Sequence, residues 1–258
     1  MKRIRMIVQY DGTEYVGWQT QPNGLAVQAV LEKEIEKLTG RPAALHGSGR
    51  TDSGVHAWAQ VAHFDTNSRI PADKWAFALN AGLPPDVRVQ YSGEAPADFH
   101  ARFSVKQKHY RYTVELGAHA SAFRRHTALH HHGALDMESM RRAAKQALGA
   151  HDFIAFKAAG TQLKSTVREI YRSEWTQKGS LLYYDVAGSG FMYNMVRILV
   201  GTMLEIGGGL RGGDAIERAL ASGDRKDAGA TAPPQGLMLM RVQYPDFDTA
   251  DYVEVNDL

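Results

Sequence analysis

The stretch Gly49-Arg50-Thr51-Asp52-Ser53-Gly54-Val55-His56-Ala57 sets a guanidinium and a carboxylate two residues apart between glycines. Glycine lacks a Cβ, so the backbone there can turn sharply or let a large ligand come close. Asp52 is then presented at the tip. A neighbouring guanidinium favours the ionised carboxylate, so Arg50 would keep Asp52 negative at neutral pH and offer its fork to a phosphate oxygen. A carboxylate held in this way can act as a nucleophile. Asp-Ser-Gly is also an ordinary turn sequence, in which the aspartate bonds its own backbone two residues on, and spacing alone favours that reading.

The elements that must position this loop follow from periodicity. Residues 3–10 alternate, with Ile4, Met6, Val8 and Tyr10 on one face, which predicts a half-buried strand. From Leu25 the apolar residues Val27, Val30, Leu31, Ile35 and Leu38 recur at three and four, so a helix is expected from near Asn23 to Gly40. A short strand over Ala43–Gly47 and a second over Ala59–Asp65 then flank the Asp52 loop. Pro71 opens another helix carrying Trp75, Ala78 and Leu79, and Val87–Ala95 reads as a strand. The order returns further on: strand Lys108–Leu116, helix Met137–Leu148, strands Val167–Gln177 and Leu181–Val186, helix Gly190–Ile206, an extra helix near Asp214–Ala221, and a last strand Leu237–Tyr244. Strand, helix, strand, strand, helix, strand is the ferredoxin-like order. The expected fold is therefore α+β, two ferredoxin-like units covering 1–104 and 105–258, with antiparallel sheets side by side and a groove between them.

Composition narrows the classes. A chain of 258 residues is long enough for two domains of ordinary size, and 44% apolar with 22% charged residues is a globular balance. The net charge of +2 argues against a protein that coats nucleic acid indiscriminately, while 30 Lys and Arg residues suffice for a local basic surface. No cysteine is present, which removes disulfides and thiolate metal sites and is compatible with a reducing cytoplasm. Met-Lys-Arg leads straight into a strand pattern, so no signal peptide is expected. The longest apolar segment, Phe191 to Ile206, is interrupted by Asn194, Arg197 and Glu205, so no membrane span is expected.

The Gly49–Ala57 stretch resembles the signature of the tRNA pseudouridine synthase A family. Tyr10-Asp11-Gly12-Thr13-Glu14-Tyr15-Val16-Gly17-Trp18-Gln19, Phe99-His100-Ala101-Arg102-Phe103-Ser104, Lys108-His109-Tyr110-Arg111-Tyr112, Phe191-Met192-Tyr193-Asn194-Met195-Val196-Arg197 and Gly236-Leu237 resemble it too, in the family's order. The resemblance implies the same two-unit fold, a homodimer, and isomerisation of uridine in tRNA. The target uridines would lie at about positions 38, 39 and 40 of the anticodon stem-loop, and each must leave its stack to be reached. By the same resemblance Asp52 is the catalytic residue, Tyr110 stacks on the base, Leu237 lines the pocket, and Arg197 reaches Asp52 across the groove. From the residues alone, Arg197 reads as part of a solvated face with Asn194, Gly201 and Glu205. Tyr110 and Tyr112 share one face of their strand, and Tyr112 reads as a core residue with its hydroxyl reaching water. Asp11, Trp18 and Gln19 have no role that can be derived.

Breaking the bond from C1′ to N1 leaves an electron-poor sugar, which a carboxylate assists either as a nucleophile at C1′ or as a base at C2′. Glycoside hydrolysis usually needs two carboxylates, one to protonate the leaving group and one to activate water. Here the base stays and no water is wanted, so one carboxylate suffices. Arg50, Arg102, Lys106, Lys108, Arg111, Arg124 and Arg125 form a group that could track phosphates. His130-His131-His132 cannot chelate as a unit, because adjacent residues on a strand face opposite ways. A solvated segment is expected there. No phosphate-loop or dinucleotide fingerprint occurs, so neither metal nor cofactor is expected. Two other classes remain from sequence: a non-catalytic RNA-binding protein, weakened by the lack of a basic-Gly-aromatic run, and a nucleoside glycosylase that would release free uracil.

Overall fold

A computed structural model describes residues 1–158 and 164–254. The described residues form an α+β protein of ten strands and five α-helices, divided into two compact units. The first unit is Met1–Lys106 together with Met238–Leu258, and the second is Gln107–Leu237.

In the first unit β1 (Lys2–Tyr10) is the central strand. It is followed by α1 (Val27–Thr39), β2 (His46–Gly47), β3 (His56–Thr66), α2 (Trp75–Asn80) and β4 (Val87–Ala95). β1 runs antiparallel to both β3 and β4, and β2 pairs antiparallel with β3. Val27, Leu31 and Ile35 of α1 and Trp75 and Leu79 of α2 are buried, which gives the apolar stripe of each helix its place in the core. β1 departs from the expected half-buried strand, since Arg5 and Ile7 on its second face are buried as well. Residues near Phe99 and Phe247 explain it: the Arg5 guanidinium lies 3.7 Å from the centre of the Phe247 ring and 5.0 Å from that of Phe99. A cation over aromatic faces replaces the water that the alternation predicted.

The second unit runs β5 (Gln107–Leu116), β6 (Leu129–His131), α3 (Met137–Gln146), β7 (Gly149–Asp152), β8 (Val167–Lys178), β9 (Leu181–Gly188), α4 (Met195–Gly207) and α5 (Ala215–Ser222). Its strands lie in the order β5-β9-β8-β7, all antiparallel, with β6 parallel to β5. β8 and β9 form the expected hairpin, with Lys178 opposite Leu181 and Gly179 at φ +59° in the turn. Asp136 caps α3 by accepting from the N–H groups of Glu138 and Ser139 at 3.0 Å each.

Two helices begin later than periodicity predicts. α1 starts at Val27 because residues 16–25 first fold back on themselves, with Val16 N donating to Leu25 O at 2.9 Å. α4 starts at Met195 because Asn194 sits at φ 61°, a left-handed conformation that ends any helical run before it. His130 and His131 lie on the short strand β6 beside β5 and are half-buried, with His130 Nε2 2.8 Å from Gly117 O, and His132 just after the strand is exposed. The expected division at 104/105 differs by one strand. β10 (Leu237–Gln243) pairs in parallel with β3, Met238 opposite His56 and Leu239 opposite Ala57, and Lys106 N donates to Gln243 O at 2.8 Å. These main-chain bonds tie the end of the chain to the first unit.

Candidate active site

The Asp52 loop runs between β2 and β3 and is clamped from behind by the segment after β1. Val55 N donates to Asp52 O at 3.1 Å, which closes a four-residue turn with Gly54 at φ +75°. Trp18 N donates to Thr51 O at 3.2 Å, Gly54 N to Tyr15 O at 3.3 Å, and the Ser53 hydroxyl to the same Tyr15 O at 3.2 Å. Two glycines make this contact sterically possible. A Cβ on Gly17, at φ +112°, would sit 2.5 Å from Thr51 O, and one on Gly12 would sit 2.1 Å from Val55 O. The turn reading of Asp-Ser-Gly is thus right about the backbone, and the turn holds the main chain of Asp52, a half-buried residue, in one place.

Asp11 has a structural place that sequence did not show. Its carboxyl is held well below the usual carboxylate range by His56, whose Nδ1 is 3.1 Å from Oδ1, and by Thr13, whose hydroxyl and N–H donate to it at 2.5 and 3.0 Å. The same Nδ1 accepts the Gly12 N–H at 3.0 Å. It meets Asp11 as a donor only in the tautomer that gives up Gly12, whereas Thr13 serves the carboxylate in either. Since His56 begins β3 directly after the loop, the Asp11-Gly12 segment meets the loop's exit at the His56 ring. Trp18 packs against Gly47, where a Cβ would come 2.4 Å from the indole nitrogen, and so holds the entry.

In the second unit the segment that ends at Leu237 meets the strand of Tyr110 and the helix of Arg197. The Tyr110 ring is buried on β5 and meets Phe191 edge-on, with centroids 5.3 Å apart. Arg197, on the first turn of α4, donates from Nε to Ala232 O at 2.7 Å and from NH1 to Asn194 Oδ1 at 2.8 Å. The solvated face expected for Asn194, Arg197, Gly201 and Glu205 is covered instead by residues 228–233. Ala232 N donates to Arg197 O at 3.0 Å, a Cβ on Gly201 would meet Ala230 O at 1.9 Å, and Ala230 N donates to Glu205 at 2.7 Å. The hydroxyl of Tyr112 is likewise not in water, since it donates to Pro233 O at 2.8 Å. Gly236 packs so closely on the Tyr112 ring that a Cβ would come within 2.7 Å. The segment leading to Leu237 is therefore tied to the Arg197 helix and to the Tyr112 strand, and Leu237 is buried at its end.

The basic residues divide by what they already hold. Arg50 is exposed and makes no hydrogen bond or ion pair among the described residues, so the expected i,i+2 pairing with Asp52 is not its contact. Arg111 is committed to Asp185, donating from Nε at 3.0 Å and from NH2 at 3.1 Å, and His109 Nε2 lies 2.7 Å from the same carboxylate. Burial pushes the Asp185 carboxyl up, but His109 and Arg111 outweigh it and bring it down to about 2. Arg124 donates to Glu115 at 3.2 Å, and Arg102 and Lys106 are exposed. Gly12, Gly17, Asp11 and Tyr112 were within reach of sequence reasoning only as motif members, because each acts on a residue that lies far off in the chain.

The profile of the tRNA pseudouridine synthase family matches residues 6–104 and 143–245. The chain therefore belongs to the tRNA pseudouridine synthases, isomerases that convert uridine in tRNA to pseudouridine. It is 47% identical over 247 residues to the tRNA pseudouridine synthase A of Geobacter sp. (strain M21), covering 95% of this chain and 100% of that one. To the tRNA pseudouridine synthase A of Ruminiclostridium cellulolyticum it is 46% identical over 245 residues, with the same two coverages. To that of Halalkalibacterium halodurans it is 47% identical over 239 residues, covering 92% and 91%. Among the described residues no helix is long and apolar enough to cross a membrane.

Proposed function

We propose that this chain isomerises uridines of the tRNA anticodon stem-loop, at about positions 38, 39 and 40, after each leaves its stack. Asp52 is the catalytic carboxylate. It assists departure of N1 from C1′ with the bonding electron pair, the uracil turns while held, C5 bonds to the same C1′, the proton on C5 leaves to solvent, and N1 takes up a proton in exchange. Arg197 supplies a fixed positive charge to the site, and exposed Arg50 grips a backbone phosphate beside the target. Tyr110 stacks on the flipped uracil and Leu237 closes the pocket around it. The two units are two ferredoxin-like folds, and the enzyme works as a cytoplasmic homodimer without cofactor or metal.

The observation that carries this reading is the construction of the Asp52 loop. Three main-chain bonds and two glycine contacts fix a turn whose half-buried product is one carboxylate. Preorganisation of that kind serves a charge needed in one place at one moment. The similarity to proteins named tRNA pseudouridine synthase A supports the substrate. The position is tested by incubating unmodified tRNA transcripts with the protein and mapping pseudouridine by carbodiimide adducts and primer extension. Stops at the three anticodon-stem positions are expected. Stops elsewhere in the tRNA, with those three uridines untouched, would overturn the assignment of position.

A further inference from the structure

Behind the Asp52 turn lies a chain of polar side chains that the reaction itself does not use. Tyr10, Ser48, Thr51 and Gln60 are all buried, Ser48 and Gln60 at 0% exposure. The Tyr10 hydroxyl and Thr51 Oγ1 are 2.8 Å apart. Gln60 Nε2 donates to Gly49 O at 2.9 Å and reaches the Tyr10 oxygen at 3.5 Å, while Ser48 donates to Gln60 Oε1 at 2.5 Å. Gln60 thus spends its acceptor on Ser48 and its two amide hydrogens on Gly49 and Tyr10. Either hydroxyl of the Tyr10–Thr51 pair can donate to the other, and the Tyr10 phenol has one proton to give. Burial raises the Tyr10 pKa, so the phenol keeps that proton across the working range.

The Tyr10 and Thr51 hydroxyls could both have been absent at little cost, because removing both partners of a buried bond can be nearly neutral, whereas Gln60 answers a main-chain carbonyl that no substitution removes. What this chain does is reach both ends of one tripeptide: Gly49 through its carbonyl and Thr51 through its hydroxyl. Asp52 is the next residue. We infer that Tyr10 and Gln60 are positioning residues for catalysis, holding the Gly49–Thr51 segment so that the Asp52 carboxylate meets the sugar in register. The inference rests on Asp52 being the catalytic carboxylate. Small displacements of a reacting group, of about 1 Å, can cost about 100-fold in rate.

The test uses the full chain and unmodified tRNA, with Thr51→Val, Thr51→Ser, Tyr10→Phe and the Tyr10→Phe/Thr51→Val pair, reading kcat, KM and the thermal midpoint of each. Thr51→Val removes the hydroxyl at constant shape, and Tyr10→Phe removes its partner. Each is expected to lower kcat about 10- to 100-fold with KM within about twofold. Thr51→Ser should recover most of that loss. The pair should be no slower than the worse single variant, because both remove one bond. Wild-type kcat in Tyr10→Phe and Thr51→Val, or losses that multiply in the pair, would overturn the inference. So would a loss of rate that disappears on assay well below each variant's midpoint, the mark of a purely structural role. Asp52→Asn is run alongside: if it turns over tRNA as wild type does, the catalytic assignment has failed, which is a different result from an inactive Asp52→Asn beside a fully active Tyr10→Phe.

Discussion

Tyr110 separates what a ring does from what a hydroxyl does. Its ring is buried against Phe191, and a base stacked on it uses the face of the aromatic system rather than the oxygen. Tyr110→Phe should therefore keep most of the turnover, within about threefold, while Tyr110→Ala loses a stacking contribution of about 1–3 kcal/mol, or about 10- to 100-fold in kcat/KM. Equal rates in the two variants would remove the platform. His63 offers a second residue-level expectation. Its ring lies within 4.8 Å of the His100 centroid and 5.1 Å of that of His46, and its Nδ1 accepts from Ala101 N at 3.2 Å. Burial first, then its charged neighbours, lower its pKa from 6.5 to about 4. Between those two values the unfolded chain binds a proton that the folded chain refuses, so stability falls as pH drops through that window and is complete above it. His63→Gln, which keeps an acceptor for Ala101, should flatten urea midpoints measured from pH 7 down to pH 4; an unchanged slope would contradict the assignment. Asp52, Tyr110, Arg197 and Leu237 were nameable from motifs. Partners from other segments were not, since Ala232 and Phe191 declare nothing about where they lie until the segments are packed.

At the level of elements, local pattern was a good guide wherever one strand or helix decided its own fate. The β8–β9 hairpin and β4 lie where alternation and turn residues put them. It failed where a distant segment decided, as in β1, buried on both faces because aromatic residues from near 99 and 247 cover Arg5, and where one residue took an uncommon backbone conformation, as Asn194 does just before α4. The loop from Asp11 to Gln19 is the most telling case, being without a derivable role in sequence yet forming the back wall of the Asp52 turn. That role makes Gly17 testable. Gly17→Ala places a Cβ 2.5 Å from Thr51 O at a positive φ, so about 1–3 kcal/mol of strain must be relieved by moving the loop. Both a lower melting temperature and a fall in turnover larger than the stability loss predicts at the assay temperature are expected. A variant as stable and as active as wild type would show that the contact does not hold the loop.

For the whole molecule, chain order misleads in one place: β10 comes last and yet completes the first unit beside β3, because main-chain pairing, not proximity in sequence, decides where a strand goes. The mixed α+β character was legible from the change of apolar period along the chain, and the parallel β10–β3 pairing was not, since it joins residues some 180 positions apart. Membership of the tRNA pseudouridine synthases makes the entire chain's task the exchange of one bond at C1′ for another. The most direct measurement of Asp52 in that task uses tRNA transcribed with tritium at uridine C5, incubated with wild-type protein or Asp52→Asn and no added cofactor or metal, counting label released to water and free uracil together. Release by wild type, none by Asp52→Asn despite unchanged tRNA affinity, and no free uracil from either are expected. Equal release by both proteins would contradict the central role of Asp52, and label released as uracil would make the reaction a hydrolysis.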